Sequence, residues 1–278
     1  MRTEKIEIKG MNTIQAYLQV YLHECSAELR DQNRPMVLLC PGGGYEFLSD
    51  REGDILALQF MAMGYHAAVL HYSVAPAVYP TALTELACAM QIIRSHSEEW
   101  NILEGKVYVL GCSAGGHLAA SLGVKWKEKW LGEFVGADTE ILRPDGLILC
   151  YPVITSGEYA HRGSFDALLR GIQTQETLDD VSLELHVNSD TPETFIWHTW
   201  TDGLVPVENS LLFVNALRKA GVNTEFHLYH TGGHGLSTAK AITRTPDWNE
   251  VQPECQDWLK QCEMWLNNHT GWHGEQGK

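Results

Sequence analysis

A chain of 278 residues with 44% hydrophobic and 20% charged residues carries enough apolar mass for a large buried core, which excludes a disordered or low-complexity protein. Its 35 acidic against 20 basic residues leave a formal charge of −15, so neither nucleic acid nor an anionic membrane surface suits it as a partner. Seven cysteines, an odd number with no C-x-x-C spacing, give neither a disulfide framework nor a zinc site and point to a reducing compartment.

Taken in chain order, residues 4–9 and 14–22 alternate polar and apolar positions and predict two strands. The first nine residues alternate charge with isoleucine and hold no apolar leader core. With no run near the ~18 apolar residues of a membrane span, the expectation is a cytoplasmic protein. The sequence leaves open whether these strands complete a sheet or pair with another subunit. Residues 36–40 form a short apolar strand ending in Pro41-Gly42-Gly43-Gly44. Residues 50–63 have helical spacing at Ile55, Leu58, Phe60 and Met63, stopped by Gly64. A strand over 66–70 precedes a helix over 81–96 with Leu83, Leu86, Ala87, Met90 and Ile93 on one face. Strands follow at 107–110, 147–151, 195–199 and 225–229, and helices at 117–122, 207–220 and within 253–266. This alternation predicts one α/β domain over residues 1–278, with a mostly parallel central sheet and helices on both faces. Residues 153–193 break the rhythm. They are polar, and read either as an insertion over the mouth of a site or as a surface excursion.

The apolar run Val107 to Leu110 stops at Gly111, and a helix-forming run starts at His117. Between them lies Gly111-x-Ser113-x-Gly115, a strand–turn–helix elbow that lifts a serine hydroxyl onto a strained turn. A serine hydroxyl is a poor nucleophile until a base takes its proton and donors hold the resulting oxyanion. With such an elbow the acid and then the histidine follow in the chain, each at a strand end. Asp202 lies just past the strand over 195–199, in Thr201-Asp202-Gly203, where it can orient an imidazole or simply build the turn. His234 sits between glycines after the last strand, well placed for proton transfer. His227, His230 and His234 together also allow a metal cluster, although the change of chain direction scatters them. The other histidines read as structural: His117 under the elbow, His269 and His273 in the tail. The oxyanion donors expected are the backbone N–H of Ala114, the residue after the nucleophile, and one from the glycine loop Pro41-Gly42-Gly43-Gly44-Tyr45, because glycine lets backbone turn its N–H groups toward a substrate. Cys40, Cys112 and Cys150, all at strand ends, are expected to be structural thiols.

With these elements placed, the chain resembles the α/β-hydrolase superfamily, and within it the acetylesterase and acetylxylan-esterase-like branch of serine esterases. The residues carrying the resemblance are Cys40-Pro-Gly-Gly-Gly-Tyr45, Leu48-Ser-Asp-Arg-Glu52, Gly111-Cys-Ser-Ala-Gly-Gly-His117, Cys150-Tyr-Pro-Val-Ile-Thr155, Trp197-His-Thr-Trp-Thr-Asp202, Val205-Pro-Val-Glu-Asn-Ser210 and Gly232-Gly-His-Gly235. The resemblance implies the α/β-hydrolase fold, Ser113 as nucleophile, His234 as general base then acid, and Asp202 as its orienting group. Gly43, Gly44 and Ala114 would hold the oxyanion, and no cofactor or metal would be needed. The chain departs from many esterases in having Pro41 where a histidine often opens the oxyanion loop. Tyr45 and Trp200 are candidate substrate-pocket residues, with Trp200 equally readable as a core aromatic. The substrate implied is a small-molecule or oligosaccharide ester, with acetylated xylo-oligosaccharides foremost, and a homo-oligomer is allowed but not indicated. Two alternatives stand: an amidase-type hydrolase such as a formamidase, and a catalytically silent hydrolase fold that only binds.

Overall fold

The computed structural model describes residues 1–246 and 251–271; His273 lies outside them. Six strands run parallel: β3 (Arg34–Cys40), β4 (His66–His71), β5 (Ile102–Cys112), β6 (Gly146–Cys150), β7 (Thr194–Thr199) and β8 (Thr224–Tyr229). Two more, β1 (Arg2–Glu7) and β2 (Tyr17–Leu22), form an antiparallel hairpin that joins β4. The order across the sheet is β1-β2-β4-β3-β5-β6-β7-β8. The N-terminal strands therefore complete the sheet of their own chain, and β1, rich in charge, forms one edge.

Period-two alternation sorts the strand side chains between two cores. Met36, Leu38, Val107, Val109, Leu147 and Leu149 point to one face, under α2 (Thr81–Ser95), α3 (Ala114–Lys125) and α7 (Glu208–Ala220). Val37, Leu39, Tyr108, Leu110, Ile148 and Trp197 point to the other, under α1 (Asp54–Ala62) and α8 (Trp258–Thr270). Helix α2 buries Leu83, Leu86, Ala87, Met90 and Ile93, the face that its spacing predicts. With both faces covered, the strands read as continuous apolar runs. This is the α/β-hydrolase architecture.

Some boundaries differ for local reasons. The second strand starts at Tyr17 rather than residue 14 because side chains, not a neighbouring strand, take the preceding backbone donors. Gly10 N–H donates to Thr13 Oγ1, Met11 N–H to Thr84 Oγ1, and Ile14 N–H to Ser73 Oγ. The helix expected over 50–63 is split at Gly53 into a 3₁₀ turn, Asp50–Glu52, and α1. His269 belongs to α8 rather than to a tail; its ring packs on Trp265 and its Nε2 faces Glu193. A short helix at Lys129–Val135, α4, has no counterpart in the sequence reading.

Residues 153–193 are not a plain loop. They hold α5 (Arg162–Leu169), α6 (Gln175–Asp180) and a 3₁₀ turn at Leu183–Leu185, with Phe165, Leu168, Leu169, Val181 and Leu183 in the core. Among the contacts that anchor the segment, three involve side chains or backbone near the elbow helix and α2. Lys125 Nζ, buried in the elbow helix, donates to Asp180 Oδ1 at 2.6 Å. His117 Nε2 lies 2.9 Å from the Val181 carbonyl, and Tyr79 N–H donates to the Leu168 carbonyl.

Burial pushes both His66 and His117 down to about 4. An unfolded imidazole takes up its proton near 6.5, so between about 6.5 and 4 the unfolded chain binds protons that these two refuse. Their contribution to stability is complete above that window and lost as pH falls through it. Melting temperature should therefore drop between pH 7 and pH 4, and the His66→Gln/His117→Gln double variant should show a flatter slope. Equal slopes would remove these two histidines from the account.

Candidate active site

The reacting serine is set by the backbone before any side chain is considered. Strand β5 ends at Cys112, α3 starts at Ala114, and Ser113 between them has φ 54° and ψ −119°. A non-glycine residue held there costs on the order of 1–3 kcal/mol, so the surroundings must enforce it. Ser113 N–H donates to the Cys150 carbonyl at 3.0 Å, and the Ser113 carbonyl accepts from His117 and Val153 N–H. The flanking glycines are needed for close approach. A Cβ on Gly111 would lie 2.1 Å from the Gly115 carbonyl oxygen, and one on Gly115 would lie 2.0 Å from that of Cys40.

His234 meets this hydroxyl from the loop after β8. Its Nε2 is 2.7 Å from Ser113 Oγ and its Nδ1 is 2.7 Å from Asp202 Oδ2. A carboxylate can only accept, so Nδ1 carries the proton and Nε2 is left to receive the one on Ser113. The loop is tied to the end of β7, where the Thr199 and Thr201 hydroxyls both donate to the Gly232 carbonyl. The Tyr151 ring stands edge-on to His234 at 5.1 Å. Asp202 Oδ1 accepts from the N–H groups of Leu204 and Val205, each at 2.9 Å. Burial pushes the Asp202 carboxyl up, but hydrogen bonds from His198 and His234 outweigh it and hold the group well below the usual carboxylate range. Ser113 and His234 keep 8% and 9% exposure, enough to open the dyad to one side, while the Asp202 side chain is fully enclosed.

The glycine loop after β3 divides its donors. Gly42 N–H is spent on Glu52 Oε2 at 2.8 Å. Among the described residues, the N–H groups of Gly43, Gly44 and Ala114 have no protein acceptor. Gly43 and Gly44 have φ of 128° and 66°, which favour glycine, and a Cβ on Gly43 would lie 2.1 Å from the Phe47 carbonyl oxygen.

Of the two candidate pocket residues, Tyr45 sits elsewhere than expected. Tyr45, with φ 61°, turns inward and is 3% exposed; its hydroxyl lies 2.8 Å from His117 Nδ1. It braces the glycine loop instead of presenting a free ring. Trp200 is 60% exposed at the end of β7, so it is not a core aromatic. The histidine trio is not convergent. His227 Nε2 bonds Glu225 and His234 faces Ser113, and among the described residues no group of three or more His, Cys, Asp or Glu is arranged to hold a metal. Cys40, Cys112 and Cys150 are buried, and burial raises the thiols of Cys40 and Cys112 far above neutrality, leaving them poor nucleophiles.

Three residues given no role by the sequence reading complete the site. Glu52, 2% exposed, takes Gly42 N–H on one oxygen and the Tyr151 hydroxyl on the other at 2.7 Å. Tyr151 in turn accepts from Ser237 N–H at 2.8 Å, beyond the histidine loop. His198, fully buried in β7, places Nε2 3.2 Å from Asp202 Oδ2.

A mostly parallel sheet with a serine elbow at the end of β5, a carboxylate delivered after β7 and an imidazole delivered after β8, defines an α/β hydrolase of the serine type. The chain belongs to the family described as BD-FAE, whose model matches residues 18–217. It is 38% identical over 226 residues to endo-1,4-beta-xylanase B of Butyrivibrio fibrisolvens, covering 80% of this chain and 35% of that protein. It is 28% identical over 202 residues to an acetylxylan esterase of Xylanibacter ruminicola, covering 70% of this chain and 40% of that one. The chain thus spans well under half the length of these two relatives. The crystal structure of an acetyl ester-xyloside bifunctional hydrolase from Caldicellulosiruptor lactoaceticus superposes with a TM-score of 0.82 at 34% identity, over 96% of both chains. Among the described residues no helix is long and apolar enough to cross a membrane.

Proposed function

We propose that this chain is a cytoplasmic serine carboxylic ester hydrolase that removes small acyl groups, acetyl foremost, from sugar hydroxyls. The observation carrying the reading is the unbroken chain Ser113 Oγ–His234–Asp202, with the N–H groups of Gly43, Gly44 and Ala114 unpaired among the described residues. The substrate class is favoured by relatives named for acetylxylan and for acetyl ester-xylosides.

In this mechanism Ser113 Oγ attacks the ester carbonyl while His234 Nε2 takes its proton, and Asp202 stabilises the imidazolium. The carbonyl oxygen, now an oxyanion, is held by the N–H groups of Gly43, Gly44 and Ala114. Collapse breaks the bond to the sugar oxygen, which leaves with the proton from His234. Water, deprotonated by the same imidazole, then frees the acid from Ser113. Segment 153–193 forms a wall of the site; Ser164 Oγ lies 3.9 Å from where a Cβ of Gly44 would stand.

The test is initial rates on p-nitrophenyl acetate, butyrate and octanoate, alongside acetate release from acetylated xylo-oligosaccharides, with Ser113→Ala as blank. The expected result is a steep fall beyond acetate together with release from the sugar. Comparable rates on longer chains, or no release from the sugar, would overturn the acetyl-sugar assignment.

A further inference from the structure

Asp202 stands between two serine–histidine pairs rather than at the end of one. On the side open to solvent, Ser113 and His234 reach Oδ2. On the sealed side, His198 Nε2 lies 3.2 Å from the same oxygen and 3.1 Å from the Val205 carbonyl, while His198 Nδ1 lies 2.7 Å from Ser210 Oγ. His198 and Ser210 are both fully buried, so no substrate reaches this second pair.

The protons on the sealed side can be placed by accounting for donors. Nε2 faces two groups that can only accept, so Nε2 carries a hydrogen. Ser210 Oγ has no other hydrogen-bond partner among the described residues. A neutral ring accepts the Ser210 hydroxyl hydrogen at Nδ1 and leaves every donor satisfied. A doubly protonated ring would put two hydrogens on the Ser210–Nδ1 line and strand one of them in a dry interior. His198 is therefore a neutral donor whose N–H is shared, at long distance, between Oδ2 and the Val205 carbonyl.

We propose that His198 is a positioning residue that competes with His234 for Asp202 Oδ2, fixing the carboxylate and moderating how strongly it holds the imidazolium. The proposal rests on the catalytic reading of Ser113, His234 and Asp202 above. Its physical content is a balance. The carboxylate must stabilise the His234 cation enough to draw the proton from Ser113, yet not so strongly that the cation fails to release it to the leaving alcohol. A second N–H on the shared oxygen withdraws part of the negative charge, and because it is bifurcated it can slide toward Val205 when His234 becomes charged. The other groups facing this centre are Tyr151 after β6, which carries Glu52 behind it, and His161 at the start of α5, which feels the charges of His234, Asp202 and Glu46. None of these touches Oδ2 among the described contacts.

The experiment compares pH profiles of kcat/KM and kcat for the wild type, His198→Phe and His198→Gln on p-nitrophenyl acetate. Phenylalanine keeps a ring but removes the donor, so Asp202 places more charge on His234, which then keeps its proton to higher pH. The acid limb should move up by about one pH unit, with kcat lower by roughly tenfold to a hundredfold and KM within about twofold. Glutamine can put an N–H where Nε2 stood and should bring the limb back toward wild type. A coincident acid limb in His198→Phe, or no return in His198→Gln, would overturn the proposal even if kcat fell, because a merely structural role predicts that pattern. Should the phenylalanine variant not fold, ¹⁵N spectra of the wild-type enzyme decide. A neutral His198 ring protonated at Nε2 at pH 7 supports the assignment, and one protonated at Nδ1 or at both nitrogens ends it. Labelling by a fluorophosphonate separates this from failure of the underlying reading: a label away from Ser113 removes the triad, whereas a label on Ser113 with an unmoved limb removes only the role of His198.

Discussion

Replacement of Ser113 by alanine is expected to lower kcat by on the order of 10⁶, the loss seen when a triad serine is removed from a hydrolase. The size follows from what Ser113 alone supplies. Its Oγ is the oxygen 2.7 Å from His234 Nε2, and the φ of 54° at this residue points it out of the elbow. Alanine leaves the backbone hydrogen bonds to Cys150, His117 and Val153 untouched, so the elbow persists and folding should be little affected. The unpaired N–H groups can still polarise a bound ester for attack by water, which sets a small residual rate. Initial rates on p-nitrophenyl acetate and labelling by a fluorophosphonate measure the two sides of this. More than a few per cent of activity, or continued labelling of the variant, would place the nucleophile elsewhere.

Asp202→Asn is expected to be less severe, roughly 10⁴-fold in kcat, with melting temperature less changed than the rate. Among the described residues, four donors meet this carboxylate: Leu204 and Val205 N–H on Oδ1, His234 and His198 on Oδ2. An asparagine has one accepting end. If its oxygen faces the two backbone donors, its NH₂ confronts both imidazoles and drives His234 to the tautomer with a hydrogen on Nε2, which cannot take one from Ser113. If it is turned over, the NH₂ meets two backbone N–H groups. Either orientation disables the base or loosens the turn. Steady-state rates together with thermal melts distinguish these outcomes, and an unchanged rate would assign the carboxylate role to another residue.

The residues of the catalytic chain are legible in the sequence because each lies in a short local pattern. Gly111-x-Ser113-x-Gly115 follows an apolar strand, Asp202 follows another, and His234 sits between glycines after the last. The centre of the sheet is equally legible, since strands covered on both faces carry unbroken apolar runs such as Met36–Cys40, Val107–Leu110 and Leu147–Cys150. What escapes is long-range. Glu52 and Tyr151 are 99 residues apart and bond each other only because β3 and β6 end on the same side of the sheet. His198 sits in a buried strand where nothing local separates a donor to Asp202 from a packed ring. Tyr45 misleads for a backbone reason: an aromatic after three glycines reads as a pocket wall, but its left-handed conformation sends it to His117. Helix α6 escapes because it buries no residue at all, and α5 because its apolar residues, Phe165, Ala167, Leu168 and Leu169, span little more than one turn inside a polar stretch.

The carboxylate of Glu52 joins the loop that carries Gly42 to Tyr151, and through Tyr151 to Ser237 just past His234. For anyone redesigning this protein, that joint defines which parts can be exchanged. Residues 41–52, the Tyr151 turn and residues 232–237 form one inseparable cassette, because replacing any of them alone strands a buried charge or hydroxyl in the other two. The stretch 153–193 touches that joint through His117, whose ring bonds both the Val181 carbonyl and the Tyr45 hydroxyl, and through Val153 N–H, which holds the Ser113 carbonyl. Away from those two ties, helix α6 buries no residue, so new recognition surfaces can be grafted on its exposed side while the reacting groups stay where they are.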